Sequence, residues 1–295
     1  MPDSNLPQLE QLDVTVIITN RTRHGSPLWS EHGLALLLDC HWTGRRSRRI
    51  LFDTGASGDL LQHNLETLQV SPGDLDAVFL SHGHLDHTGG LSSVLDYHEA
   101  EFMVVAHPEI TREAVTTRDS LQRISPGHET WDRIPSSRLI LLREPVQIFP
   151  GVWVSGSIPR KTPFEKPREG QFTLKDGCLL PDNDPDDMAM LFDIGPAGPV
   201  VITGCSHAGA VNALLHARTI IDTGQRPTLI GGLHLIGADE NRLASTVQGL
   251  HELNPAQIRP GHCTGETAEG ALEERFADRH HPFSTGDRFT YHRIR

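Results

Sequence analysis

Between Ser81 and Gly90 the chain reads Ser-His-Gly-His-Leu-Asp-His-Thr-Gly-Gly, so His82, His84, Asp86 and His87 fall within six residues. Imidazole and carboxylate together suit a divalent metal ion: zinc, iron, manganese or magnesium. In an extended stretch, residues i and i+2 share a face, so His82 and His84 can bind one ion. Asp86 and His87, at the start of the next helix, can bind a second ion alongside. Glycines at 83, 89 and 90 permit the tight turns this requires. A chance HxHxDH directly after an apolar strand is rare.

Catalytic zinc needs at least three protein ligands and water, so this loop is incomplete by itself. The second half supplies three more histidines, each in a Gly-bounded stretch after an apolar run. These are Gly204-Cys205-Ser206-His207-Ala208-Gly209, Gly231-Gly232-Leu233-His234 and Pro260-Gly261-His262-Cys263-Thr264-Gly265. If the preceding strands run parallel, all three histidines reach one sheet edge, the usual place for an α/β site. Asp53, in Asp53-Thr54-Gly55, either orients a ligand histidine from behind or caps a turn. Glu31 and His32 form a further acid–base pair, and Arg160 and Lys161 a short basic loop suited to an anionic substrate.

The elements that must position these residues alternate strand and helix. Strands are expected over residues 14–19, 34–39, 50–52, 76–80 and 102–106. Helical spacing covers 58–68 and 91–98. Residues 119–185, rich in Pro, Arg, Asp and Gly, read as a loop-rich insertion near the site, with short strands at 139–142 and 152–155. Strands at 188–193, 199–203, 228–230 and 257–259 then alternate with helices at 208–221, 240–253 and 266–276. Two β-then-βα halves fit one α/β (α+β) domain over residues 1–295: an αββα sandwich of two mixed sheets flanked by helices. Residues 1–12 read as a flexible tail.

Composition narrows the function classes. A net charge of −12 over 295 residues disfavours nucleic-acid and anionic-membrane partners, leaving a small-molecule substrate. The polar, acidic N-terminus lacks a signal-peptide pattern, and no apolar run approaches the ~20 residues that span a bilayer. Four scattered cysteines argue against a disulfide framework, so a cytoplasmic location is expected. The oligomeric state is not readable.

These motifs resemble the metallo-β-lactamase superfamily across most of the chain. Asp53-Thr54-Gly55 resembles its first motif, His82-Gly83-His84-Leu85-Asp86-His87 its second, and Gly261-His262 its last metal-ligand motif. Together with Glu31-His32-Gly33-Leu34, Ile158-Pro159-Arg160, Cys205-Ser206-His207-Ala208-Gly209 and Gly231-Gly232-Leu233-His234, they resemble one branch. That branch holds the dihydropterin–ribofuranosylaminobenzene phosphate synthases and proteins described as metal-dependent hydrolases. The Gly-His-Thr-x-Gly-His type stretch expected between residues 152 and 166 is absent, and no bridging Asp is evident in the fourth motif. The resemblance then implies that His207 is the missing ligand, with Cys205 behind it or as a thiolate alternative.

The implied site is one or two divalent ions, zinc foremost, on His82, His84, Asp86, His87, His207 and His262. Asp86 and His234 would act in catalysis. Arg160, Lys161, Glu31 and His32 would hold substrate. The implied activity is metal-assisted hydrolysis of a small anionic compound; the alternative is transfer of a dihydropterin-methyl group to an aminobenzene ribotide phosphate. A non-catalytic redox scaffold, as in flavodiiron-type relatives, would need a flavin-binding partner domain.

Overall fold

The structure is a computed structural model that describes residues 7–97, 101–118 and 120–294. The seven-stranded sheet has the spatial order Arg288–His292, Leu9–Ile18, Ala35–Trp42, Arg48–Phe52, Ala77–Phe79, Met103–Ala106, Leu139–Leu141. Its first three pairings are antiparallel and its last three parallel. A six-stranded sheet has the order Gln257–Gly261, Thr228–Gly232, Pro199–Thr203, Ala189–Asp193, Val152–Val154, Val146–Phe149.

Strands buried on both faces explain the near-continuous apolar runs of the sequence. Leu36, Leu38, Cys40 and Trp42 point inward, where they meet Met190, Phe192, Val200 and Ile202 of the other sheet. Their alternates Ala35 and Leu37 face a second cluster formed with Leu61 and Leu65 of the helix Gly58–Thr67. Leu191, Val201 and Leu229 face a third, formed with the helices Ala210–Ile220, Glu240–Leu253 and Glu266–Phe276. The layers are helix, sheet, sheet, helix, as the sequence pattern predicts. Among the described residues, no helix is long and apolar enough to cross a membrane.

Three departures matter. The tail expected through residue 12 gives way at Leu9 to a ten-residue strand. Its Leu9 and Leu12 are fully buried between the sheets, so the polar residues around them are the outer face of an alternating strand. Helix Leu91–Leu95 is shorter than expected, and His98 lies outside the described residues. The region 119–185, where Asp119 also lies outside them, contributes three strands of a third sheet, whose order is Cys178–Pro181, Gln171–Lys175, Glu113–Thr116, Gln122–Arg123. Its hairpin Gln171–Lys175/Cys178–Pro181 carries an apolar strand signal at Phe172, Leu174, Leu179 and Leu180, which the Pro-, Arg-, Asp- and Gly-rich stretches around it mask.

Candidate metal centre

The parallel strands Pro199–Thr203, Thr228–Gly232 and Gln257–Gly261 bring His207, His234 and His262 to one edge, as their Gly-bounded contexts predict. The loop after Ala77–Phe79 brings His82, His84, Asp86 and His87 to the same place from the other sheet. Gly83 is required there: a Cβ would come within 2.5 Å of the Ile110 carbonyl oxygen.

The candidate ligands sort into two groups. His82 Nε2 lies 3.1 Å from His84 Nδ1 and 3.2 Å from His207 Nε2. In the second group, His87 Nε2 is 3.1 Å from both Cys205 Sγ and His262 Nε2, and Asp86 Oδ2 is 3.2 Å from His262 Nε2. Ligands on one tetrahedral zinc, at about 2.0–2.3 Å, lie roughly 3.3–3.7 Å apart, so both groups have the spacing of a coordination shell.

The proton inventory agrees. His87 Nδ1 is 2.6 Å from Asp53 Oδ2, and His262 Nδ1 is 3.0 Å from Asn20 Oδ1; both partners are acceptors, so these nitrogens carry the protons. The two Nε2 lone pairs then face each other at 3.1 Å. Neutral imidazoles in that arrangement repel unless a cation lies between them, a proton or a metal ion. His82 and His207 pose the same problem: Ser81 Oγ donates to Asp53, so it accepts from His82 Nδ1, while His207 Nδ1 is 3.3 Å from Asp184 Oδ2. The donor set therefore fits two divalent ions.

Asp53 braces the centre from behind, holding His87 and accepting from the Ser81 amide and hydroxyl. Cys205 does not. The sequence left it either behind His207 or as a thiolate alternative to it; its Sγ lies among the candidate ligand atoms of the second group, while His207 joins the first. Ser206 between them has φ +58°, so the two side chains do not share a face and do not compete. Asp53, Ser206, His234 and His262 all have positive φ, strain of the kind that collects at functional sites.

Several residues escaped the sequence reading. Asp184 sits between the outer nitrogens of His84 and His207, 3.6 and 3.3 Å away. Asp182, Asp184 and Asp186 surround the buried Arg112 guanidinium, and Asp186 also accepts from the Gly83 amide. Asp187 accepts from the Ala208 amide, beside His207. Losing one partner of such a buried pair costs about 3–5 kcal/mol. The available signal was four aspartates within residues 182–187. Cys263 lies with Cys205 and His234 in a third, smaller group.

The substrate-binding expectations need revision. Arg160 donates to the carbonyls of Glu165, His207 and Asn183, so it ties down the backbone behind the centre. The Lys161 side chain is exposed, and its loop is anchored to helix Ala210–Ile220, away from the cleft, through the Lys161 amide bonded to Asn212. Glu31 accepts from the Ala56 and Ser57 amides and shapes the neighbouring loop. His32 does reach the cleft: its Nε2 is 3.4 Å from Asp86 Oδ2. That cleft, about 440 Å³, has His84, Asp86, Cys205 and His207 on its floor, with His234, Arg118, Arg123 and Arg168 around them.

Burial opposes ionisation of Asp86, yet His87 and His262 hold its pKa well below the usual carboxylate range. Burial drives His82 well below its ordinary value and His84 down to about 3. His207 goes the other way: burial lowers it, but Asp184 and Asp187 outweigh that and raise it to about 9. A metal ion must displace this proton. Affinity is therefore expected to rise with pH up to about 9, where the competing proton is lost, by about tenfold per unit per proton displaced. Zinc competition against a chromophoric chelator at several pH values between 6.5 and 8.5 measures this; a flat profile would mean that binding displaces neither this proton nor that of the Cys205 thiol.

Residues 48–152 match the model of the β-lactamase superfamily domain. Over 280 residues the chain is 31% identical to a Methanocaldococcus jannaschii protein, covering 93% of this chain and 95% of that one. That protein is named 7,8-dihydropterin-6-methyl-4-(β-D-ribofuranosyl)-aminobenzene-5′-phosphate synthase. A second protein of that organism, uncharacterized, is 30% identical over 248 residues, covering 83% of this chain and 89% of its own. Among solved structures, a metal-dependent hydrolase of the β-lactamase superfamily superposes with TM-score 0.79 at 24% identity, covering 95% of this chain and 99% of its own. It shows the same fold. With a candidate metal-ligand set assembled from both sheets and a relative aligned over nearly its whole length, this chain belongs to the metallo-β-lactamase superfamily.

Proposed function

We propose that the protein is a metal-dependent hydrolase acting on a small anionic, phosphorylated or pterin-like compound. The observation that carries this reading is the pair of candidate ligand groups, His82/His84/His207 and Asp86/His87/Cys205/His262, whose members His84, His207, Asp86 and Cys205 line one open cleft. Divalent ions held there, zinc foremost, would supply Lewis acidity, polarising a substrate oxygen and lowering the pKa of a water.

The chain's own residues supply the rest. Asp53, Asp184, Ser81 and Asn20 fix the tautomers of His87, His207, His82 and His262, so each presents a lone pair to the centre. Asp86 stays ionised and orients the attacking group. His234 Nε2 accepts from Arg168 at 2.5 Å, and burial holds its pKa well below normal. Its buried Nδ1 therefore carries the proton and has no partner among the described residues, a proton held beside the His207 ring, 4.2 Å away.

The second reading is group transfer, with an aminobenzene ribotide phosphate replacing water. Two observations favour it: the synthase relative matches over most of the chain, and a second cleft of about 520 Å³ reaches the other side of the centre at His262. The metal-loaded protein incubated with a dihydropterin-methyl diphosphate, with and without the ribotide, separates them. Hydrolysis gives the pterin alcohol at the same rate in both; transfer gives a coupled product only when the ribotide is present. Turnover of neither this diphosphate nor any member of a phosphoester and lactone panel would refute both.

A further inference from the structure

The mouth of the metal cleft carries cations that the expected basic loop does not supply. Arg168 is half-buried, and its guanidinium donates to His234 Nε2 at 2.5 Å and to the Ile236 carbonyl at 2.6 Å. No carboxylate pairs with it among the described residues, whereas Arg21, Arg49 and Arg112 each hold one. In a chain of net charge −12, a guanidinium left without an acid beside a candidate active site is informative. Arg118, exposed just beyond strand Glu113–Thr116, lines the same cleft, as does Arg123, which is already paired with Glu113.

We propose that Arg168 and Arg118 form an anion site that holds a phosphate group of the substrate beside the metal centre. The site is close to the chemistry: Arg168 touches His234, whose ring lies 4.2 Å from that of His207. A planar guanidinium offers a phosphate two parallel donors. Arg168 also stands to gain charge balance. Burial and the neighbouring Arg118 and Arg242 pull its pKa down to about 10, a repulsion that a bound anion relieves. All of the assembly depends on the small third sheet, whose strands Glu113–Thr116 and Gln171–Lys175 form one side of the cleft.

This inference rests on the reading that the site acts on an anionic substrate, and binding tests it separately from turnover. Pyrophosphate, ribose 5-phosphate and neutral ribose are titrated calorimetrically into metal-loaded wild type, Arg168→Gln, Arg168→Lys and Arg118→Gln. Arg168→Gln is expected to weaken at least one phosphorylated probe about tenfold or more, with metal content unchanged. Arg168→Lys should recover part of that loss, and Arg118→Gln, a surface change that spares folding, should weaken the same probe about threefold. Loss confined to pyrophosphate assigns the site to a diphosphate, and loss confined to ribose 5-phosphate assigns it to a phosphomonoester; both support it. Equal affinities in wild type and both Gln variants overturn it, because the ions alone would then hold the anion. Equal affinities alongside turnover of phosphorylated substrates sink the inference and leave the functional reading standing. Arginine-dependent binding with no turnover of any phosphorylated substrate sinks that reading and leaves the site.

Discussion

Stripping metal with a strong chelator is expected to abolish activity, by a factor of about a thousand or more, and to lower the thermal midpoint. Activity goes because the Lewis acid goes. Stability goes because the ligands come from two sheets: His82, His84, Asp86 and His87 follow Ala77–Phe79, while Cys205, His207 and His262 follow strands of the six-stranded sheet. Ions there tie the layers together across their common edge, and a ligand at a thousand times its dissociation constant contributes about 4 kcal/mol. For a chain of this size that is a drop of roughly 5–10 °C. Calorimetric or fluorescence melts of protein with verified metal content before and after chelation measure it. An unchanged midpoint after complete removal would show that the centre adds nothing to the fold.

Two substitutions two residues apart should remove different ions. His207→Ala takes a ligand from the group with His82 and His84, and Cys205→Ser takes the thiolate from the group with Asp86, His87 and His262. Each variant should bind the affected ion at least ~100-fold more weakly and keep the other, since losing an inner ligand costs no less than losing its outer support. Metal counting after dialysis should show one equivalent lost in each variant. Both variants should lose activity about a thousandfold or more, because both candidate groups have members lining the same cleft. His63→Ala is the control, for its ring stacks on Trp29 at 3.8 Å, outside both ligand groups. If Cys205→Ser keeps its full metal content, Cys205 is a packing residue and the second group has only three protein ligands.

The sequence by itself determined the layers and brought forward most of the candidate ligands. Strands buried on both faces must be apolar throughout, and amphipathic helices must carry one apolar stripe, so the αββα order is visible without coordinates. His82, His84, Asp86 and His87 are legible because their spacing is local and the glycines around them mark the turns. His207, His234 and His262 are legible because each follows a strand in the same Gly-bounded context. The division of labour among these residues depended on tertiary structure. Whether Cys205 and His207 share one ion turns on the backbone at Ser206, and its φ of +58° sends them to different groups. Asp184 supports the centre from the region whose polar composition reads as loop, and its partner Arg112 lies 72 residues earlier, outside that region. Arg168 meets His234 across 66 residues, whereas Arg160, which has the better sequence context, spends its donors on carbonyls. A guanidinium becomes a substrate ligand or a structural tie according to the acceptors that the fold places within reach, and no local pattern records those.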